Sequence, residues 1–222
     1  IADTPSLPRK EFDEALGLAE AMGVACLVVD PDELSDPAYA ANPADRCYYC
    51  KKHLFEMIRR VAAGKGFFCV LDGNNADDAG DYRPGRRAAQ ELGVKSPLME
   101  AGLTKAEVRA LSARAGLPTA QKPAMACLAS RIPYGTPVTA EVLGKVERAE
   151  GVLRGLGFGP CRVRHHGDVA RIEVDEASLP RLLDAAVRGQ VTCGVREAGY
   201  RYVTLDLQDR KSTRLNSSHG KL

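Results

Sequence analysis

Seven cysteines are scattered through the chain, and three of them have neighbours that suit them to chemistry. Cys47 and Cys50 form a Cys-x-x-Cys within Arg46-Cys-Tyr-Tyr-Cys-Lys51. Cys127 stands in Pro123-Ala-Met-Ala-Cys-Leu-Ala-Ser-Arg-Ile-Pro-Tyr-Gly135, with Arg131 four positions on. The thiolate is both the nucleophile and the metal ligand, and a nearby cation favours it. Arg131 is therefore expected to hold Cys127 in its ionised form. The close pair alone is compatible with half a zinc site, a redox pair or part of an iron–sulfur site. A four-thiolate zinc ribbon needs a second close pair, and the chain has none. Three thiolates on a four-iron cluster would leave one iron open to an exogenous ligand such as sulfide. A single cysteine would have to give up its own sulfur. Either route needs an electrophilic acceptor carbon, which ATP supplies when it turns a carboxylate oxygen into a phosphate leaving group. Of the other cysteines, Cys26 and Cys69 sit inside apolar runs and read as core residues. Cys161 and Cys193 have no partner pattern and read as structural.

Two further concentrations stand out. In Arg162-Val-Arg-His-His-Gly-Asp168, strand alternation places Arg162, Arg164 and His166 on one face. Arg171 and Glu173 share a face of the next strand. Guanidiniums two apart suit a phosphate or carboxylate; the alternative is a cross-strand salt-bridge ladder on a solvated face. His165 and His166 point to opposite faces, so they cannot share a metal. Asp72-Gly-Asn-Asn-Ala-Asp-Asp78, followed by Gly80-Asp-Tyr-Arg-Pro-Gly85, comes after an apolar run. It suits either close approach to a nucleotide or a polar turn rich in Asx residues.

The elements that must position these groups follow from periodicity. Phe12, Ala15, Leu16, Ala19 and Met22 define a helix stopped by Gly23. Residues 25–29 and 67–71 read as buried strands. Between them a helix runs from the cysteine pair to about Ala63, with Leu54, Met57, Ile58 and Val61 inward. Residues 86–92 read as helical, 94–96 as extended, and Thr104-x-x-Glu107 as a capping box opening a helix to Ala115. Apolar strands alternating with amphipathic helices indicate an α/β fold, a parallel sheet with helices on both faces. Beyond Gly135 the texture changes. Thr139 can cap a helix with the stripe Val142, Val146, Ala149, Leu153 and Leu156. Strands 161–166 and 169–174 form a hairpin, followed by a helix near 178–188 and a strand near 201–207. The chain is thus read as domains 1–135 and 136–208, the second an α-β-β-α-β unit.

Composition narrows the function classes. Thirty-one basic residues against 29 acids give a net charge of +2, which argues against broad nucleic-acid binding. The apolar runs are too short to cross a bilayer. With no leader pattern at the start, a cytoplasmic, reducing setting is expected. The polar string 209–219 resembles one reading frame of a sequencing adapter, so residues 209–222 are set aside as a non-native tail.

The motifs quoted above, with Asp3-Thr-Pro-Ser-Leu-Pro-Arg-Lys-Glu11 and Asn42-Pro-Ala-Asp-Arg-Cys-Tyr-Tyr-Cys-Lys-Lys-His-Leu-Phe55, resemble the LarE family of ATP-dependent sulfur transferases over residues 1–208. That family belongs to the PP-loop ATP pyrophosphatases, so the resemblance implies a parallel PP-loop (adenine nucleotide alpha-hydrolase-like) sheet. It implies use of ATP with Mg to adenylate a carboxylate of pyridinium-3,5-biscarboxylate mononucleotide, and sulfur delivery to give a thiocarboxylate. That product lies on the way to the nickel-pincer nucleotide cofactor of lactate racemase. Cys127 matches the family's sulfur-donating cysteine. Some members spend that cysteine and keep dehydroalanine; others hold a [4Fe-4S] cluster on three cysteines. The presence of Cys47 and Cys50 beside Cys127 implies the cluster form. Arg162 and Arg164 match the substrate-phosphate site, and Glu150 and Glu173 match acidic positions near it. Gly73, Asn74, Asn75 and Asp78 would line the adenylate side. A homo-oligomer is also implied, with neither nucleic acid nor membrane as partner. The family's phosphate loop, Ser-Gly-Gly-x-Asp-Ser, would precede Ile1, so the chain as it stands is expected to be an inactive piece that binds ATP phosphates poorly. The alternatives are an ammonia-dependent amide synthetase of the same superfamily, which needs no cysteine trio, and a non-enzymatic zinc module.

Overall fold

The computed structural model describes residues 1–80, 84–123 and 125–208. Asp81, Tyr82 and Arg83 of the Gly80–Gly85 motif, Ala124 of the Cys127 stretch and the whole 209–222 tail lie outside the described residues. The chain divides into two units. The first comprises Ile1–Thr4 and Arg9–Ala126; the second comprises Pro5–Pro8 and the chain from Cys127 onward.

In the first unit, α1 (Arg9–Ala21) ends as read, with Gly23 in the left-handed region. The short α2 (Pro37–Ala40) is capped by Asp36, whose carboxylate accepts from the Ala38 N–H and also meets His53 at 2.7 Å. The long α3 (Arg46–Gly64) carries the cysteine pair in its first turns. It packs on α4 (Pro84–Glu91), and Phe55, Ala89 and Val94 form a small core with Ile58, Val70 and Leu92 against it. The inward residue is thus Phe55; Leu54, Met57, Ile58 and Val61 are half-buried. Gly85 permits the approach of the two helices. A Cβ there would stand 2.8 Å from Lys51 Cγ and 3.3 Å from the Cys47 carbonyl oxygen. The unit continues with α5 (Pro97–Glu100) and α6 (Lys105–Arg114), the latter opened by the Thr104/Glu107 capping box.

The parallel sheet expected in this unit is reduced, among the described residues, to two isolated parallel bridges, Ala2 to Val29 and Leu71 to Lys95. Apart from these bridges, residues 25–29 and 67–71 belong to no strand. Val28 is 51% exposed, Phe67 65% and Phe68 102%. The expected burial of Cys26 and Cys69 is corrected with them, since both thiols are exposed. An apolar run becomes a core strand only when strands flank it and helices cover both faces. Here each run has one bridge on one edge.

The second unit has its own core. The helix α7 (Ala140–Gly155) is capped by Thr139, whose hydroxyl accepts from the Val142 N–H at 3.2 Å. Its buried stripe is Leu143, Val146, Ala149, Glu150 and Leu153. The strands β1 (Arg162–His166) and β2 (Val169–Glu173) pair antiparallel, with Arg162 opposite Glu173 and Arg164 opposite Arg171. After the short α8 (Leu179–Leu183) and α9 (Ala185–Glu197), β3 (Tyr202–Leu205) joins β2 in parallel. The sheet order is β1-β2-β3. Val163, Ala170 and Ile172 face Leu153, Val191 and Val195 in one cluster. Burying each such valine, leucine or isoleucine side chain contributes about 1.5–3 kcal/mol.

α7 and α9 meet at Gly194, where a Cβ would come within 2.7 and 2.9 Å of the Val152 methyls. Gly194→Ala is expected to lower stability. The overlap costs about 1–3 kcal/mol, and the gain in helix propensity returns up to about 1 kcal/mol. A lowered urea midpoint checks this; an unchanged or raised midpoint refutes it.

Candidate active site around Cys127

Cys127 begins the second unit, ahead of the residue-135 boundary that the change of texture suggested. Its stretch belongs with the C-terminal elements because the 3-10 turn Leu128–Arg131 packs on α7 and β1. Leu128 and Ala129 are fully buried and anchor the turn, while the Cys127 side chain is exposed. The Leu128 N–H donates to the Ser6 carbonyl at 2.8 Å.

Arg131 is held by a buried carboxylate. It is 2% exposed, and its Nε and Nη2 donate to Glu150 Oε1 and Oε2 at 2.8 and 3.3 Å. Its Nη1 donates to the Cys127 carbonyl at 3.2 Å and to Ser130 Oγ at 2.9 Å. The guanidinium charge is thus met by a carboxylate, and its Nη1 holds the main chain and the Ser130 hydroxyl of its own turn. Glu150 is wholly buried and also accepts from Arg154 Nη1 at 3.3 Å and from the Val163 N–H at 3.1 Å. The last bond satisfies a donor on the edge strand β1.

The hairpin holds the turn from the other side. Arg164 Nη1 donates to the Ser130 carbonyl at 2.7 Å, and its Nε and Nη2 grip Glu173 at 2.9 and 3.1 Å. Glu173 also accepts from Arg171 Nη2 at 3.2 Å and is 0% exposed. The face therefore carries a cross-strand arginine–glutamate ladder, in which Glu173 is buried and Arg171 is partly exposed. Arg162 is half-buried on the same strand face. Neither Glu150 nor Glu173 announces its burial by residue type. The signal for Glu150 was its place in the α7 stripe, seven residues after Leu143 and three before Leu153.

Elsewhere in this unit, Cys161 is buried beside the same network. Burial, then the Glu150 charge, pushes its thiol up to about 11. It is a core residue and not a competing nucleophile. His165 lies on the inner face of β1, 6% exposed, with Nδ1 3.2 Å from the Tyr200 hydroxyl. Desolvation, then the Lys145 charge, lowers its pKa from the ordinary 6.5. Above 6.5 the imidazole is neutral folded or unfolded. Below it the unfolded chain takes up the proton first, so stability falls as pH drops through that window. Urea unfolding at pH 7.5 and 5.0 is expected to show a smaller acid loss in His165→Gln than in the unaltered protein.

In the first unit, Cys47 is exposed and Cys50 half-buried near the start of α3. The 72–78 loop is built as a chain of Asx turns. Asp72 Oδ1 accepts from the Asn74 N–H at 3.1 Å and from Ser96 Oγ at 2.7 Å. Asp78 Oδ2 accepts from the Asn75 N–H at 3.0 Å, and Asn75 Oδ1 from the Asp77 N–H at 3.1 Å. Gly73 is exposed and a Cβ there would meet nothing within 4 Å. These bonds shape the loop itself. Among the described residues, no group of three or more His, Cys, Asp or Glu side chains is gathered to hold a metal ion. Cys47 and Cys50 belong to one unit and Cys127 to the other. A three-cysteine cluster site is therefore not assembled within either unit.

No family model matches the chain. Among curated proteins, it is 40% identical over its entire length, and over 79% of the relative's, to the pyridinium-3,5-bisthiocarboxylic acid mononucleotide synthase of Lactiplantibacillus plantarum. The chain belongs to the LarE family of sulfur transferases. An uncharacterized Synechocystis protein is 42% identical over 97% of the chain and 80% of its own. An uncharacterized protein of Methanocaldococcus jannaschii is 25% identical over 94% of the chain and 79% of its own. Among the described residues, no helix of this LarE-family chain is long and apolar enough to cross a membrane.

Proposed function

We propose that this protein is an ATP-dependent sulfur transferase that converts a carboxylate of pyridinium-3,5-biscarboxylate mononucleotide to a thiocarboxylate, with Cys127 as the sulfur-bearing residue. Identity of 40% along the whole chain to a synthase of the bisthiocarboxylate carries this reading. The exposed thiol on an anchored turn supports the choice of residue.

A substrate carboxylate oxygen attacks the α-phosphorus of ATP and pyrophosphate leaves, with Mg balancing phosphate charge. The Cys127 sulfur then attacks the acyl carbon, and AMP departs with the C–O electron pair. Loss of the Cys127 Cα proton and cleavage of its Cβ–Sγ bond release the thiocarboxylate and leave dehydroalanine. No oxidant or reductant is needed. Arg162 and Arg164, two apart on β1, are assigned to the substrate phosphate. The Asx loop with Gly73, Asn74, Asn75 and Asp78 is assigned to the adenylate side.

The finer alternative places a [4Fe-4S] cluster, the carrier of a transferable sulfide when bound, on Cys47, Cys50 and Cys127. Because no three-ligand group is assembled among the described residues, every step above is written for Cys127 itself. Mass spectrometry of the full-length protein after one turnover is expected to show loss of hydrogen sulfide at Cys127. Iron and sulfide after anaerobic purification, with Cys127 intact after turnover, would establish the cluster route instead. Thiocarboxylate formation undiminished in Cys127→Ala would remove this residue from both.

A further inference from the structure

Three main-chain groups around Cys127 are fixed while its side chain is exposed. Its carbonyl accepts from Arg131, the Leu128 N–H donates to Ser6, and the Ser130 carbonyl accepts from Arg164. Each arginine is in turn gripped by a carboxylate with no exposure, Glu150 for Arg131 and Glu173 for Arg164. Arg131 and Arg164 thus form two parallel links, one from α7 and one from β2, to the two ends of a single turn.

Desolvating a carboxylate costs about as much as its ion pairs return, so such a pair contributes little net stability. What it fixes is geometry, and here that geometry places one exposed thiol. Since neither carboxylate is exposed, neither is open to a ligand from solvent. We infer that Glu150 and Glu173 are positioning residues for Cys127, acting through Arg131 and Arg164, and are not ligands of the substrate phosphate. The inference rests on the reading of Cys127 as the sulfur-bearing residue. A nucleophile displaced by about 1 Å can lose about 100-fold in rate, so the two links matter to transfer out of proportion to their stability.

Arg131→Lys isolates the effect. A lysine ammonium can neutralise Glu150, but it lacks the planar fork that reaches Glu150 and the Cys127 carbonyl together. In the full-length protein, amide hydrogen exchange over residues 128–132 is expected to accelerate at least tenfold, with residues 163–172 unchanged. The single-turnover sulfur-transfer rate is expected to fall about 10–100-fold, with KM for the carboxylate substrate within twofold. If the lysine variant does not fold, the neutral pair Arg131→Gln with Glu150→Gln takes its place, and the same local acceleration is expected. Unchanged exchange over 128–132 overturns the inference. So does acceleration spread evenly through the second unit, which marks a merely structural role. A tenfold rise in KM at constant rate does so too, because it marks direct contact with substrate. The exchange measurement needs no activity. Local acceleration together with undiminished transfer in Cys127→Ser would therefore sink the sulfur-donor reading and leave the positioning of the turn standing.

Discussion

Cys127→Ser is expected to abolish thiocarboxylate formation while leaving the fold intact. The side chain is exposed, so the exchange of sulfur for oxygen alters stability by no more than about 0.5 kcal/mol. The chemical consequence is of another order. A serine has no sulfur to give, and removing a covalent nucleophile costs at least about 10⁴-fold. Adenylation uses no cysteine atom, so pyrophosphate release in the variant should continue through its first turnover. The check is a paired assay of the full-length protein, with pyrophosphate on one side and thiocarboxylate on the other. Retained thiocarboxylate would show that sulfur enters elsewhere. By the same measure, Cys161→Ser should leave transfer intact, since that thiol is buried in the core.

The largest expected loss of stability comes from Glu150→Ala. Truncation leaves Arg131, whose side chain is 1% exposed, without its carboxylate, and leaves the Val163 N–H without its acceptor. An uncompensated buried charge of this kind costs about 3–5 kcal/mol. Urea unfolding should show a lower midpoint with the slope unchanged. A companion variant with Arg131→Met and Glu150→Leu removes both charges and should recover most of the lost stability. It should not recover transfer, because the link to the Cys127 carbonyl is gone. A loss in Glu150→Ala below about 1 kcal/mol would mean that water reaches Arg131 in the folded protein.

The first unit shows where pattern reading fails. Residues 25–29 and 67–71 have the composition of buried strands, but their exposure was not theirs to determine. A strand is completed by its neighbours, and no property of the run itself states how many it has. Cys26 and Cys69 were misplaced for that reason. Local signals did better. The Thr104/Glu107 box, the Thr139 cap and the break at Gly23 act through atoms a few residues apart, and each stands in the structure where the sequence put it. So do the hairpin, read over 161–174 and found over 162–173, and the opposite faces of His165 and His166.

Residue types and spacing by themselves determined that three cysteines were unlike the rest, that the motifs are those of a LarE-family sulfur transferase, and where several of the helices lie. Those are properties of short stretches, and short stretches carry them whole. Only the tertiary structure decided what Arg131 and Arg164 hold. From spacing, Arg131 reads as serving a thiolate, and Arg164 as suiting a phosphate, a carboxylate or a cross-strand ladder. In the folded chain each meets a carboxylate brought from a distance in sequence, Glu150 across 19 residues and Glu173 across nine. A guanidinium removed from water takes the nearest fixed anion, and which anion is nearest is settled by how α7 and the hairpin pack against the turn.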